Sequence, residues 1–282
     1  MATAATPARR PVTVAQVTAV EGRSVFLRPD RLVTEEPLEI RVHGPGEAPV
    51  PLAVTMRTPG HDFELAVGFC VTEGVVAAID DIVTVEYCLG GRGEQEYNVV
   101  TVRVRRPIAA GIATRRFVTT SSCGVCGKAT IDDLEVRCEP VGPGPSVARS
   151  VLVGLNASLG EGQSVFTATG GLHAAARFHA DGSLLALRED VGRHNALDKL
   201  LGHAFLDGSW PLGDDVVLVS GRLGFELVQK AAVAGVAVVC AVSAPTSLAI
   251  ETARRFGQTV VAFLRDDRFN VYTHPERVDL DG

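Results

Sequence analysis

From residue 12 to residue 58 the apolar positions fall in short, Val-rich alternations broken by proline and glycine, and this period of two predicts several strands joined by turns. The rhythm lengthens over residues 61–72, which predict a helix stopped at Glu73-Gly74. Two more strands are predicted at 82–88 and 98–104, flanking a turn at 90–93, and residues 105–120 carry neither period. A Gly/Pro cluster at 142–145 marks a boundary. Beyond it the pattern predicts helix 151–159, strands 173–178 and 184–188, helix 194–205, strand 216–220, helix 225–234, strand 236–242, helix 247–256 and strand 259–264. Such alternation reads as an α/β domain built on a largely parallel or mixed sheet.

These changes of rhythm divide the chain into a disordered N-terminus (1–11), a mostly β domain with one helix (12–120), a mobile loop and linker (121–145), an α/β domain (146–274) and a tail (275–282). A length of 282 residues, 46% of them hydrophobic, is enough for two cores. The longest stretch without a charge, 231–250, is divided by Ser243, Pro245, Thr246 and Ser247 into a strand and a helix, so no membrane span is expected. Arg9-Arg10 is followed by no apolar segment, which argues against an export signal and for a cytoplasmic protein. A net charge of −6 argues against nucleic acid or an anionic membrane as the main partner. Only Lys128, Lys199 and Lys230 among the 27 basic residues are lysines, so an arginine by itself is weak evidence of phosphate binding here.

Six cysteines at irregular spacing do not make a disulfide scaffold. Cys70 and Cys240 lie in apolar runs where cysteine behaves as a small hydrophobe, and Cys88 and Cys138 are assigned to the core with them. Cys123 and Cys126 differ. They stand in Ser121-Ser122-Cys123-Gly124-Val125-Cys126-Gly127-Lys128, where two thiols come within reach of each other and Lys128 favours a thiolate. A zinc site would need a second ligand pair, which the sequence lacks, so no tightly bound metal is expected. A thioredoxin-like dithiol would sit in a βαβ context that is missing here. Zinc deaminases need H-x-E followed by P-C-x-x-C. In this chain Ala175 stands two residues after His173 where the glutamate belongs, and the cysteine pair precedes the histidine.

Two strand-to-helix junctions suit an anion. In Ser220-Gly221-Arg222-Leu223-Gly224 and in Ser243-Ala244-Pro245-Thr246-Ser247, a strand ends in small or hydroxylated residues before a helix, whose first N–H groups favour phosphate. Ordinary capping is the alternative for each turn. Arg188-Glu189-Asp190-Val191-Gly192-Arg193-His194-Asn195 forms a polar cluster ahead of Asp198 and Lys199, in part a solvated helix start, with His194 a hydrogen-bonded structural residue. Residues 263–272 close the domain with a strand and then charged residues, as a polar turn or an anion clamp.

Together the segments 121–128, 169–175, 188–199, 220–230 and 243–251, with Met56-Arg57-Thr58-Pro59-Gly60-His61-Asp62 through Glu73-Gly74, resemble the FdhD family of formate dehydrogenase accessory sulfurtransferases. The resemblance implies a three-layer α/β/α domain of cytidine-deaminase-like type beside a smaller, mostly β one. It implies acceptance of sulfur from a cysteine desulfurase as a persulfide on Cys123, with Cys126 as an auxiliary or resolving thiol. The sulfur would pass to the bis-guanine-dinucleotide molybdenum cofactor for formate dehydrogenase. Phe263, Leu264, Arg265, Asp266, Asp267 and Arg268 correspond to that family's cofactor-binding segment, and Gly221, Arg222, Ser243, Pro245 and Thr246 are expected to assist. A homodimer is expected from the resemblance and from the frequency of two-fold assembly. Two other functions stay open: a non-covalent cofactor chaperone, and a dithiol oxidoreductase.

Overall fold

A computed structural model of the chain describes residues 10–88, 96–108, 139–282 and the backbone of 117–118. The cysteine pair at 123 and 126, the adjoining Lys128, Cys138 and the turn at 90–93 lie outside the described residues.

Strands β1 (Val12–Glu21) and β2 (Ser24–Val33) form a separate antiparallel ribbon. It pairs with neither large sheet and leaves Val14, Val20, Val25, Phe26, Leu27 and Leu32 exposed. Next come β3 (Glu36–His43), β4 (Val50–Arg57), helix α1 (Asp62–Thr72), β5 (Ile82–Tyr87), β6 (Val99–Val104) and β7 (Phe117–Val118). Their five strands pair in the order β5-β6-β3-β4-β7. Helix α1 is apolar nearly all round because it is buried on nearly every side, with Leu65 to Val71 in the core of this layer.

The second half runs β8 (Val147–Ala148), α2 (Arg149–Gly162), α3 (Ser164–Thr169), β9 (His173–Phe178), β10 (Leu184–Asp190), α4 (Arg193–Leu206), β11 (Val216–Val219), α5 (Phe225–Val233), β12 (Val238–Ala241), α6 (Ser247–Phe256), β13 (Thr259–Arg265), β14 (Arg268–Thr273) and β15 (Val278–Asp279). Six strands form a mixed sheet in the order β10-β9-β11-β12-β13-β14, in which β11, β12 and β13 are parallel and β9 and β14 run against their neighbours. Period-two alternation splits β11 between two cores. Val217 and Val219 pack with α4, α5 and α6 on one face, while Val216 and Leu218 pack with Leu152, Leu155 and Leu159 of α2 on the other. The result is three layers, α/β/α.

Most of the predicted elements are present within a residue or two; besides the two-residue strands β7 and β8, which no pattern announces, four features depart from the sequence reading. Helix α2 begins and ends two to three residues further out than the pattern predicts, and α3 and β14 have no counterpart in it. Strand β14 is hidden in the sequence by the charged turn at Asp266-Asp267, where a positive φ of 51° at Asp266 reverses the chain. Residues 275–282, set apart as a tail, are pinned: β15 pairs with β8, and Arg277 donates to the carbonyls of Pro143, Gly142 and Gly257. Among the described residues no helix is long and apolar enough to cross a membrane.

The two large layers meet where α1 crosses α4. A methyl group on Gly68 would lie 1.9 Å from the Asp198 carbonyl oxygen, and one on Gly202 would lie 1.9 Å from that of Glu64, so only glycine permits this approach. The polar cluster at 188–199, expected in part as a solvated helix start, is mostly buried in this seam. Asp190 accepts from the Thr58 and Gly192 amides, Asn195 donates to the Met56 carbonyl, and Lys199 donates to the Thr58 carbonyl. Alongside, Lys230 lies 3.0 Å from Asp198 and donates to Thr72. Burial opposes the Lys230 ammonium, but Asp198 and Glu73 outweigh it and hold its pKa above the ordinary lysine value.

Candidate functional site

In an open α/β sheet, ligands bind beyond the carboxyl ends of the parallel strands. Here β11, β12 and β13 end along one edge, and three of the predicted segments follow those ends directly: 220–224 after β11, 243–246 after β12, and the turn joining β13 to β14. Backbone hydrogen bonds tie them together. The Leu223 amide donates to the Ala244 carbonyl at 3.1 Å and the Thr246 amide to the Leu223 carbonyl at 3.0 Å, an isolated parallel bridge between Leu223 and Pro245. The Phe263 amide donates to the Ser243 carbonyl at 3.2 Å.

The hairpin presents a ligand-ready surface. Phe263 adopts a positive φ of 55°, rare for a residue with a side chain, and the residue is 40% exposed. Arg265 and Arg268 are cross-strand partners, both exposed, and neither forms an ion pair among the described residues. Together with Phe269 and Asn270 they line a cleft of about 450 Å³. An aromatic face beside two guanidinium forks fits a base and a phosphate respectively. Leu264, expected at the cofactor, instead buries its side chain completely in the α2-side core, because adjacent positions of a strand face opposite ways. Asp266 and Asp267 are exposed at the tip of the turn.

The other two segments divide between the ligand reading and the capping reading. Thr246 is the N-cap of α6 and accepts from the Ala249 amide, so its side chain already serves the helix, as capping predicts. Pro245, expected to open that helix, precedes the cap by one residue and lies in the bridge instead. Ser243 is partly buried, and its carbonyl receives Phe263. Arg222 is exposed with no partner among the described residues. Helix α5 has Gly224 as its N-cap, which offers no side-chain acceptor to the first-turn amides.

Sequence reasoning missed what lies at the β9 end of this edge. Strand β9 runs against β11, so its first residue, His173, sits beside the end of β11. There the Ser220 hydroxyl accepts from the Ala174 amide at 2.9 Å, and the His173 ring lies against Gly221 and next to Arg193. His194 behaves as the structural histidine expected of it: its Nε2 is 2.7 Å from Glu226, joining the first turns of α4 and α5. That bond, more than burial opposes it, holds the Glu226 carboxyl below its ordinary range. The signal for His173 was available in the placement of a strand start opposite a strand end, but only once the antiparallel pairing was known.

Cys70 and Cys240 are fully buried, and burial pushes both thiols up to about 12, as befits core residues. Cys88 is partly buried with its sulfur 2.9 Å from the Thr101 hydroxyl. Cys70 and Cys240 thus lack both the exposure and the low pKa of a reactive thiol.

A mixed six-stranded sheet between two helical layers, with three segments tied together beyond the carboxyl ends of its parallel strands, defines the chain as a three-layer α/β protein. The chain belongs to the FdhD/NarQ family, whose model matches residues 33–279. It is 51% identical over 268 residues to the sulfur carrier protein FdhD of Mycobacterium tuberculosis, covering 90% of this chain and 94% of that protein. The corresponding protein of Streptomyces coelicolor is 48% identical over 94% of this chain and 95% of its own length, and that of the archaeon Sulfurisphaera tokodaii 42% identical over 93% and 97%. In three dimensions the fold matches the crystal structure of a protein assigned as a formate dehydrogenase accessory protein from Desulfotalea psychrophila. The TM-score is 0.71 at 20% identity, covering 95% of this chain and 99% of that one.

Proposed function

We propose that this protein is a sulfur carrier in formate dehydrogenase maturation, taking sulfur from a cysteine desulfurase onto Cys123 and delivering it to the bis-guanine-dinucleotide molybdenum cofactor. One observation carries the reading: the segments after three successive parallel strands are tied into a single sheet edge with an exposed aromatic and two unpaired arginines, in a chain similar to proteins named as sulfur carriers.

Loading is a thiol exchange. The Cys123 thiolate attacks the outer sulfur of the donor's persulfide; a new S–S bond forms, the donor's S–S bond breaks, and the donor cysteine leaves as a thiolate with no net redox change. Release of that sulfur at the sulfide level needs two electrons. Attack by the Cys126 thiolate on the inner sulfur supplies them, expelling hydrosulfide and leaving a Cys123–Cys126 disulfide for a cellular reductant to reopen. The cofactor is the substrate here. Phe263 would stack on a guanine, Arg265 and Arg268 would hold its pyrophosphate, and the 220–224 and 243–246 turns would close the edge from the side.

Intact-protein mass spectrometry after incubation with a cysteine desulfurase and cysteine tests the covalent step. A gain of about one sulfur mass that is lost on reduction and absent from Cys123→Ala is expected of a reactive thiolate. No adduct on the wild type would overturn the mechanism in favour of non-covalent escort of the cofactor.

A further inference from the structure

The β9 end of the edge holds a cluster that the hairpin cleft does not use. His173 opens β9, its side chain partly buried, and neither ring nitrogen has a hydrogen-bond partner among the described residues. A methyl group placed on Gly221 would come 3.3 Å from His173 Nδ1 and 3.7 Å from Arg193 Cδ, so the bare glycine lets the imidazole and the arginine stem lie flush against the turn. Arg193, the first residue of α4, forms no ion pair among the described residues. The Ser220 hydroxyl fixes the turn by receiving the Ala174 amide, and His194 bonded to Glu226 fixes the two helix starts on either side.

We propose that His173, Arg193 and the Ser220–Gly221 turn form a second anion subsite on this edge, which takes one phosphate-type oxyanion group of the bound ligand. This rests on the reading of the carboxyl edge as the nucleotide-binding face. Strand order separates it from the hairpin cleft: β9, β11, β12 and β13 are consecutive, so His173 and Phe263 stand roughly three strand spacings, about 14 Å, apart along the edge. A ligand with its base on Phe263 and a phosphate at this subsite must therefore lie along the edge rather than point into it. That suits an elongated dinucleotide better than a single small anion.

The chemistry of the cluster favours a group that is anionic at neutral pH. Arg193 supplies a permanent charge with planar donors. Burial, and next the Arg193 charge, lower the His173 pKa below the ordinary histidine value, so the ring is neutral near pH 7 and offers one donor and one acceptor. Asp190 at the end of β10 acts in the other direction, and His194 of α4 adds to the lowering. Arg222, on the turn itself, and Glu226 of α5, engaged by His194, complete the charged groups around it. A bound phosphate would favour protonation of His173, so binding should tighten as pH falls through its pKa.

The test is titration calorimetry of the full chain with GDP and, separately, with inorganic phosphate, for wild type, Arg193→Ala, Arg193→Lys, His173→Asn and Arg268→Ala. Arg193→Ala is expected to weaken GDP about tenfold, the loss of one charge-assisted contact, with Lys restoring part of it. His173→Asn is expected to remove the tightening seen as pH falls from about 7 to about 5, a range that reaches below the ordinary histidine pKa; a packing role would not produce that change. Inorganic phosphate binding far more weakly than GDP, yet still weakened by Arg193→Ala, would place a ligand phosphate at this subsite. Equal affinity for phosphate and GDP would overturn the elongated-ligand assignment. GDP binding weakened by Arg268→Ala but untouched by Arg193→Ala and His173→Asn would overturn the subsite alone. Wild type that binds neither probe would overturn both this inference and the nucleotide-binding edge on which it stands.

Discussion

The Lys199 ammonium lies 2.7 Å from the Asp190 carboxylate, with both side chains almost completely shut off from solvent between the two sheets. Lys199 comes from α4 and Asp190 from the end of β10, yet both also bond to Thr58 just beyond β4. The pair therefore holds the end of β4 to the larger sheet as well as closing its own turn.

Removing one member of a buried pair leaves an uncompensated charge, which costs more than the pair itself contributes. Lys199→Met is expected to lower stability by about 3–5 kcal/mol in urea denaturation. A loss under about 1 kcal/mol, the range of exposed pairs, would show that the seam admits water.

The α1/α4 crossing makes a contrasting pair of glycine substitutions informative. In Gly68→Ala the new carbon would collide with the backbone oxygen of Asp198, which cannot rotate away. A loss of about 3 kcal/mol, the upper range for overpacking, is expected. Gly154 in α2 has open space around it. Gly154→Ala should stabilise the protein by up to about 1 kcal/mol through helix propensity. Equal melting shifts in the two variants would refute the tight crossing.

Burial disfavours ionisation of Glu64, but its bonds to Arg188 and then His61 more than compensate and hold the carboxyl at about 2. A depressed carboxylate stabilises the fold above its unfolded pKa, about 4.3, and that stabilisation disappears as pH falls towards the folded value. Stability should therefore decline between about pH 5 and pH 2, and Arg188→Leu should flatten that part of the profile. Denaturation midpoints measured across this range check it; identical slopes for the two proteins would remove Glu64 from the account.

Brief alkylation of the native protein with iodoacetamide, followed by peptide mapping, should leave Cys70 and Cys240 unmodified, since their thiols titrate near 12 and are fully enclosed. Labelling should be fastest on the peptide carrying Cys123 and Cys126. Rapid modification of Cys240 would contradict its place in the core between the sheet and α2.

Periodicity made the α/β half of the chain legible. Helix α6 is readable to the residue because Thr246 caps one end and Gly257, with φ 74°, closes the other. Local rules could not reveal partners supplied from elsewhere. Arg57 is fully buried because Asp62, Glu36 and the Tyr97 carbonyl surround its guanidinium, and nothing around residue 57 announces the contribution from residue 97. The same blindness made the 188–199 cluster look solvated. Of the candidate site, Phe263, Arg265, Arg268, Gly221 and Arg222 follow strand ends along one edge, a placement that the alternation of strand and helix made legible. Leu264 shows why a contiguous motif is a poor guide to which side chains reach a ligand: alternation along β13 turns it inward.

The bridge between Leu223 and Pro245 has a mechanical meaning for this edge. Because the two loops share reciprocal amide–carbonyl bonds, and the second is tied in turn to the β13 hairpin through Ser243 and Phe263, no one of the three can shift without stretching its neighbour's bonds. The rim works as a truss. A load applied at the first loop is borne by the last, so the edge offers an incoming ligand a surface already set to one curvature, with little ordering left to be done on contact.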